Sequence, residues 1–217
     1  IDHILDVEVI DDEIIWVATD DGIIRINTMT DDLIRFSNDQ SLPATQQIPE
    51  NRVFDLMVSN DEYIWAGTAT GLLIIDGFAM ETKFFNSDLI IRILFQDNNG
   101  NVWVGSEREG IYFLDKDLVK DIYNEDNFEV EGHVFDPSLS GGISSSQITC
   151  ITEDKNGAIW IGTVGGLNKY LHRDETFSHY FMEDGLPSNY ITALAIDVDN
   201  NLWISSKKGL TYFDQKD

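Results

Sequence analysis

The chain is poor in cysteine, proline and positive charge. Its 217 residues include one cysteine, Cys150, and four prolines. A single cysteine excludes an internal disulfide framework, and its place in an apolar run marks it as a small buried hydrophobe. Basic residues number 14 against 39 acidic ones, a formal charge of −25. So few cations argue against a nucleic-acid surface, and the excess of carboxylates argues against an anionic membrane partner. No apolar run approaches the roughly 20 residues of a spanning helix, and the opening residues do not read as a signal peptide. Apolar residues make up 42% and aromatic ones 11%, which excludes a disordered acidic tail and implies a folded acidic domain.

Chemistry is also sparse. His3, His133, His172 and His179 share no metal-ligand spacing with one another or with Cys150. No phosphate-binding glycine loop and no nucleophile elbow is found. The stretch Asp197–Asn201 lacks the glycine and distal glutamate of a calcium loop and reads as a hairpin turn. No metal or other cofactor is expected. No acid stands apart from the repeat background as catalytic, so the chain is expected not to be an enzyme.

What the sequence does have is a repeat. Five tryptophans, Trp16, Trp65, Trp103, Trp160 and Trp203, each sit in a near-copy of one segment, with spacings of 49, 38, 57 and 43 residues. Aligned on Trp, the twelfth residue before it is Ile4, Val53, Ile91, Ile148 or Ile191. Two after it come Ala18, Gly67, Gly105, Gly162 and Ser205; three after it come Thr19, Thr68, Ser106, Thr163 and Ser206. A glycine follows in each copy.

Each copy reads as short strands. A first strand, apolar on both faces, precedes a tight turn of Asp, Asn and Gly, residues that tolerate positive φ. The Trp strand follows, then a third after the glycine, and a fourth such as LIRF, TKFF, HVFD or FSHYF. Four antiparallel strands recurring every 40–45 residues or so are the mark of a β-propeller blade. The expected fold is therefore an all-β propeller of four-stranded antiparallel blades. Five blade repeats are present, at about 1–38, 51–87, 88–136, 146–181 and 189–217, the last with no obvious outer strand. The expectation is part of a larger propeller, with a closed five-bladed ring or closure between molecules as the alternatives. The Trp residues recur in register inside the second strand, so they are expected to pack between blades rather than to serve as sugar platforms.

The shared pattern is an apolar strand, Asp-x-x-Gly, apolar-Trp-apolar-Gly-Thr, two variable residues, then Gly-Leu. It resembles the two-component regulator propeller repeat. The clearest copies are ITEDKNGAIWIGTVGGLNKY (151–170) and FSHYFMEDGLPSNYITAL (177–194), with the typical Gly-Leu-Pro-Ser-Asn at Gly185–Asn189. The turns of the first and fifth copies, ATDDG and SSKKG, depart further from it, and the third carries one extra residue before its glycine. The resemblance implies a seven-bladed parent propeller in the extracytoplasmic, periplasmic sensor region of a hybrid histidine kinase that recognises an oligosaccharide. It also implies that kinase and membrane span lie outside this chain, that the chain itself does not touch the membrane, and that the parent sensor forms a homodimer.

Strands that run up and down place the turn between strands 2 and 3 at the same end as the connections between blades. That end varies among copies, which suits recognition. Its variable pairs include Glu107–Arg108 and Lys207–Lys208, and its long connections are 37–51 and part of 124–146. At the mouth of each first strand stand His3, Arg52, Ile90, Gln147 and Tyr190. An oligosaccharide site needs an aromatic platform and polar groups, and the candidate ligand-binding residues are Arg52, Gln147, Tyr190, Arg108, Lys207 and Lys208. The alternatives are a protein-interaction scaffold and a carbohydrate-active propeller hydrolase or lyase. Fold alone does not choose among them.

Overall fold

Each tryptophan lies on the second strand of its own antiparallel sheet. The computed structural model describes residues 3–10, 12–86, 88–122, 133–135, 142–173 and 176–214. The first sheet runs β1 (Ile4–Ile10), β2 (Ile14–Thr19), β3 (Gly22–Asn27), β4 (Leu33–Phe36). The second runs β5 (Val53–Val58), β6 (Tyr63–Thr68), β7 (Gly71–Asp76), β8 (Thr82–Asn86). The third holds β9 (Ile91–Gln96), β10 (Val102–Ser106), β11 (Ile111–Leu114) and, beyond helix α1 (Lys116–Asp121), β12 (His133–Phe135). The fourth holds β13 (Ile148–Glu153), β14 (Ile159–Thr163), β15 (Leu167–Leu171) and β16 (Thr176–Tyr180). The fifth, among the described residues, has three strands: β17 (Ile191–Ile196), β18 (Leu202–Ser206) and β19 (Gly209–Phe213). These are β-propeller blades. Helix α1 is too short to leave a helical period in the sequence. Its termini suit the helix dipole, with Asp117 in the first turn and Lys120 in the last.

The hairpins form as their composition demands. The turn between strands 1 and 2 carries a positive-φ residue in every blade: Asp12, Glu62, Gly100, Gly157 and Asn200. Four first strands shift register near their start, between Ile4 and Asp6, Val53 and Asp55, Ile148 and Cys150, and Ile191 and Ala193. The extra residue of each bulge leaves the ladder.

The chain divides into two compact units, Ile1–Leu94 with Asp117–Glu131, and Phe95–Lys116 with Gly132–Asp217. In the first, Trp16, Phe36, Val53, Leu56, Ile64 and Ile75 form one buried cluster across the first two blades. In the second, Trp103 meets Tyr170 of the next blade edge-on at 5.2 Å, and Trp160 meets Phe213 at 5.6 Å. Four tryptophans are at most 1% exposed, in keeping with packing between blades. Trp203 departs from that expectation at 39% exposure, because no described residue of its unit covers the outer face of β18 and β19. The first strands depart in the same way. β5 is buried at Val53 and Leu56, but β1 leaves Ile4, Val7 and Val9 exposed. Cys150 is half-buried against the fourth and fifth blades, and burial pushes its thiol up to about 11, so it stays protonated.

Candidate ligand-binding end of the blades

The variable end is built on an invariant turn. In all five blades the hydroxyl three residues after Trp donates to the carbonyl of the following glycine at 2.8–3.0 Å. The same oxygen accepts a backbone N–H from the variable pair or the residue beside it, at Asp21, Thr70, Glu109, Gly165 and Lys208. A small side chain thus holds both ends of the turn and leaves the variable side chains free to differ.

Two further bonds fix the strand mouths beside these turns. The carbonyls of His3, Arg52, Gln147 and Tyr190 accept the N–H of Asp20, Ala69, Val164 and Lys207, at 3.1–3.3 Å. The N–H groups of Arg52, Gln147 and Tyr190 bond in turn to Glu50 Oε1, Ser145 Oγ and Ser188 Oγ. The asparagine one residue before the mouth clamps the incoming connection. Asn51 Oδ1 accepts the Asn38 N–H at 2.6 Å, and Asn189 Oδ1 accepts the Met182 N–H at 2.7 Å. That is the work of the asparagine in Gly185–Asn189. Glycines tie one blade to the next, with Gly22 N–H on the Asn51 carbonyl and Gly110 N–H on the Ser146 carbonyl. Of the two long connections, 37–51 is held by a short 3-10 turn at Ala44–Gln46 and by buried Ile48; 124–132 and 136–141 lie outside the described residues.

The six candidate residues fall as follows. In the second unit the Lys207 ammonium sits 3.7 Å from the centroid of the half-buried Tyr190 ring, and Lys208 is exposed beside it. Exposed Arg108 lies in the turn whose Gly110 bonds to Ser146, next to exposed Gln147. In the first unit, exposed Arg52 lies over the Phe54 ring at 5.2 Å, and Arg92 lies over the same ring at 3.9 Å. Sequence reasoning missed Phe54 and Arg92. Both stand eleven residues before Trp, the position that bulges in four blades, and an alignment column at that offset would have shown them.

Beneath the first-unit mouth lies a row of carboxylates. Asp6 Oδ2 accepts the Leu56 N–H at 2.9 Å, and Asp55 Oδ2 accepts the Leu94 N–H at 2.6 Å, each joining one first strand to the next. Burial, then the charges of Asp6 and Glu8, push Asp55 up to about 8 against the pull of the Leu94 N–H. Burial and Asp6 also raise Glu8.

At the opposite end, acidic turns brace three of the tryptophans. Asp97, Asp154 and Asp197 each accept the indole N–H of their own Trp six residues on, at 3.1, 2.9 and 3.2 Å. They also accept backbone N–H groups of their turns. The first two blades have Ile10 and Ser59 at this position. Two cavities open at that end. One of about 250 Å³ is lined by Trp16, Arg25, Asp61, Tyr63 and Phe78, and Arg25 Nε is buried there with no hydrogen-bond partner among the described residues. Another, of about 670 Å³, is lined by Asn98, Glu153, Lys155, His172 and Arg173. Its His172 Nε2 is 3.2 Å from Asp97 Oδ2 but not aligned to bond. Asp97 is fully occupied by Asn101 and Trp103. No group of three or more metal-ligating side chains occurs among the described residues.

A two component regulator propeller model matches residues 85–108, 142–165 and 185–208. Three of the chain's five blades carry the two component regulator propeller repeat. Each matched repeat runs from eighteen residues before Trp to five after it, so it takes in the connection, the mouth, the Asp–Trp bond and the variable pair. The three matched blades are the three in which Asp caps Trp. The fifth blade is among them despite its divergent SSKKG turn.

No curated protein matches the chain. Among solved structures it is similar to the extracellular domain of a B. thetaiotaomicron protein described as a hybrid two component system. That likeness has a TM-score of 0.82 at 18% identity, covering 100% of this chain and 30% of that one. A second such domain gives 0.73 at 21%, covering 99% and 27%. Virginiamycin B lyase from Staphylococcus aureus gives 0.65 at 16%, covering 97% and 69%. At these identities the likeness shows the propeller fold. The chain spans under a third of the length of the two B. thetaiotaomicron domains. No helix among the described residues is long and apolar enough to cross a membrane.

Proposed function

We propose that this chain is a ligand-binding part of an extracytoplasmic sensor of a hybrid two-component system. It binds an oligosaccharide at the strand mouths, in the periplasm, and the signal passes to a histidine kinase elsewhere in the parent protein. The observation that carries the reading is a cation over an aromatic at two strand mouths: Lys207, on the rigid turn of a matched repeat, lies over Tyr190, and Arg52 at the mouth of the second blade lies over Phe54. An aromatic face with hydrogen-bonding groups around it is what a sugar ring, apolar on one side and polar at its rim, requires. The ligand acts by binding one arrangement of the parent sensor better than another.

A thermal-shift screen of the chain against plant and host oligosaccharides tests this, with the sugar recovered and analysed by mass spectrometry. At 100 times its Kd a ligand adds about 2.7 kcal/mol of stability. A clear shift with intact sugar supports the reading. Cleaved sugar moves the case to an enzyme, as for the lyase neighbour, and no shift with any sugar favours a protein partner.

A further inference from the structure

Arg25 pairs with Trp16 across strands β2 and β3 of the first blade. The residues opposite Trp in the other blades are Ile74, Phe113, Lys169 and Tyr212. Lys169, the other cation of the set, lies over the Trp160 ring at 4.7 Å. Arg25 has no such contact among the described residues, and neither a hydrogen bond nor an ion pair there, although its Nε is buried. A buried donor left unpaired is costly, the more so on a charged group.

Arg25 lines the cavity of about 250 Å³ at the end away from the strand mouths. Ile10, Ile14 and Trp16 give this cavity an apolar wall, and Phe78, 98% exposed, stands at its rim. Asp76 Oδ1 accepts the N–H groups of Phe78 and Ala79 and so fixes the turn that carries that ring. Asp76 shares the cavity with two more carboxylates, Asp61 and Glu62, both exposed. A bare anion would therefore meet more negative charge than positive. None of the three pairs with Arg25, so both signs of charge stand apart beside one apolar wall. The volume lies below the roughly 300–1,000 Å³ of drug-sized sites, which suits one small molecule and excludes an oligosaccharide.

We infer that this cavity is a site for a free α-amino acid with an apolar side chain. Its carboxylate takes the Arg25 guanidinium, whose donors match the carboxylate oxygens. Its ammonium lies toward Asp61, Glu62 and Asp76, and its side chain lies against the apolar wall. The site is independent of the oligosaccharide reading and sits at the other end of the blades.

The test is calorimetric titration of the chain with L-leucine and L-phenylalanine, with their amides and with their N-acetyl derivatives. At least one of the two amino acids should bind. Its amide, which lacks the carboxylate, and its N-acetyl form, which lacks the ammonium, should each bind at least about ten-fold more weakly. Arg25→Gln should bring the amino acid down to the affinity of its amide and leave the amide unchanged, while Arg25→Lys should retain part of the preference. Asp61→Asn/Glu62→Gln, which alters two exposed side chains and spares the Asp76 turn, should lose most of the preference over the N-acetyl form. Binding of neither amino acid overturns the site and leaves water as the partner of Arg25. An amide or N-acetyl form that binds as tightly as the free amino acid, or undiminished binding by Arg25→Gln, overturns it as well.

Discussion

Ile191, the first residue of β17, sits so close on Gly162 of β14 that a Cβ on the glycine would lie 2.7 Å from the isoleucine Cγ2. Gly67 and Ile91 repeat the contact at 2.7 Å in the other unit. The small residue two after Trp and the apolar residue twelve before the next Trp are therefore partners across a blade junction. Gly162→Ala and Gly67→Ala should each cost about 1–3 kcal/mol from overpacking. Gly185→Ala, where nothing lies within 4 Å, meets only the strain of φ 107°. Urea unfolding of the three variants checks the order.

The Asp–Trp bond makes a second prediction. Asp154 is 1% exposed and serves the Trp160 indole and two backbone N–H groups of its turn. Removing it leaves buried donors unpaired, so Asp154→Ala should cost about 2–4 kcal/mol. Asp197→Ala should cost clearly less, since Trp203 is part-exposed and water can replace the acceptor. Equal losses in denaturant midpoints would contradict this account.

Stability should fall as pH rises because of Asp55. Its folded pKa is about 8 against an ordinary 3.8. Below pH 4 both states hold the proton and no penalty exists. Between about 4 and 8 the unfolded chain gives up a proton that the folded chain keeps, so unfolding gains ground until the slope ends near 8. Asp55→Asn keeps an acceptor for the Leu94 N–H and should flatten this part of the profile. Denaturant midpoints of wild type and variant from pH 5 to 9 should converge at the acid end. A constant difference between them would contradict the assignment.

The turn hydroxyl should behave as a positional bond. Thr163→Val loses both its bond to the Gly166 carbonyl and its hold on the Gly165 N–H, at a cost of about 1–2 kcal/mol, while Thr163→Ser should restore most of it. Thermal unfolding of the pair decides whether the hydroxyl or its methyl matters.

The blade pattern was legible because the same neighbour contact must be made at each junction, so Trp, glycine and hydroxyl recur at fixed offsets. The strand mouths were legible as positions, and Arg52 and Tyr190 do stand on the variable end. What stacks on them was not legible. Phe54 and Arg92 meet across two blades through a bulge, and the alignment column at that offset, Leu5, Phe54, Arg92, Thr149 and Thr192, shows both residues but not that they touch. Trp203 has the same sequence context as the four buried tryptophans and differs only in what lies beside it.

The most direct test of the central claim is hydrogen–deuterium exchange of the chain with and without the oligosaccharide that gives the largest thermal shift. Binding at the strand mouths predicts slowed exchange in the segments around Arg52, Gln147 or Tyr190 and their adjoining turns, with the Asp97, Asp154 and Asp197 hairpins unchanged. Protection confined to those hairpins, at the end that holds the Arg25 and His172 cavities, would contradict it.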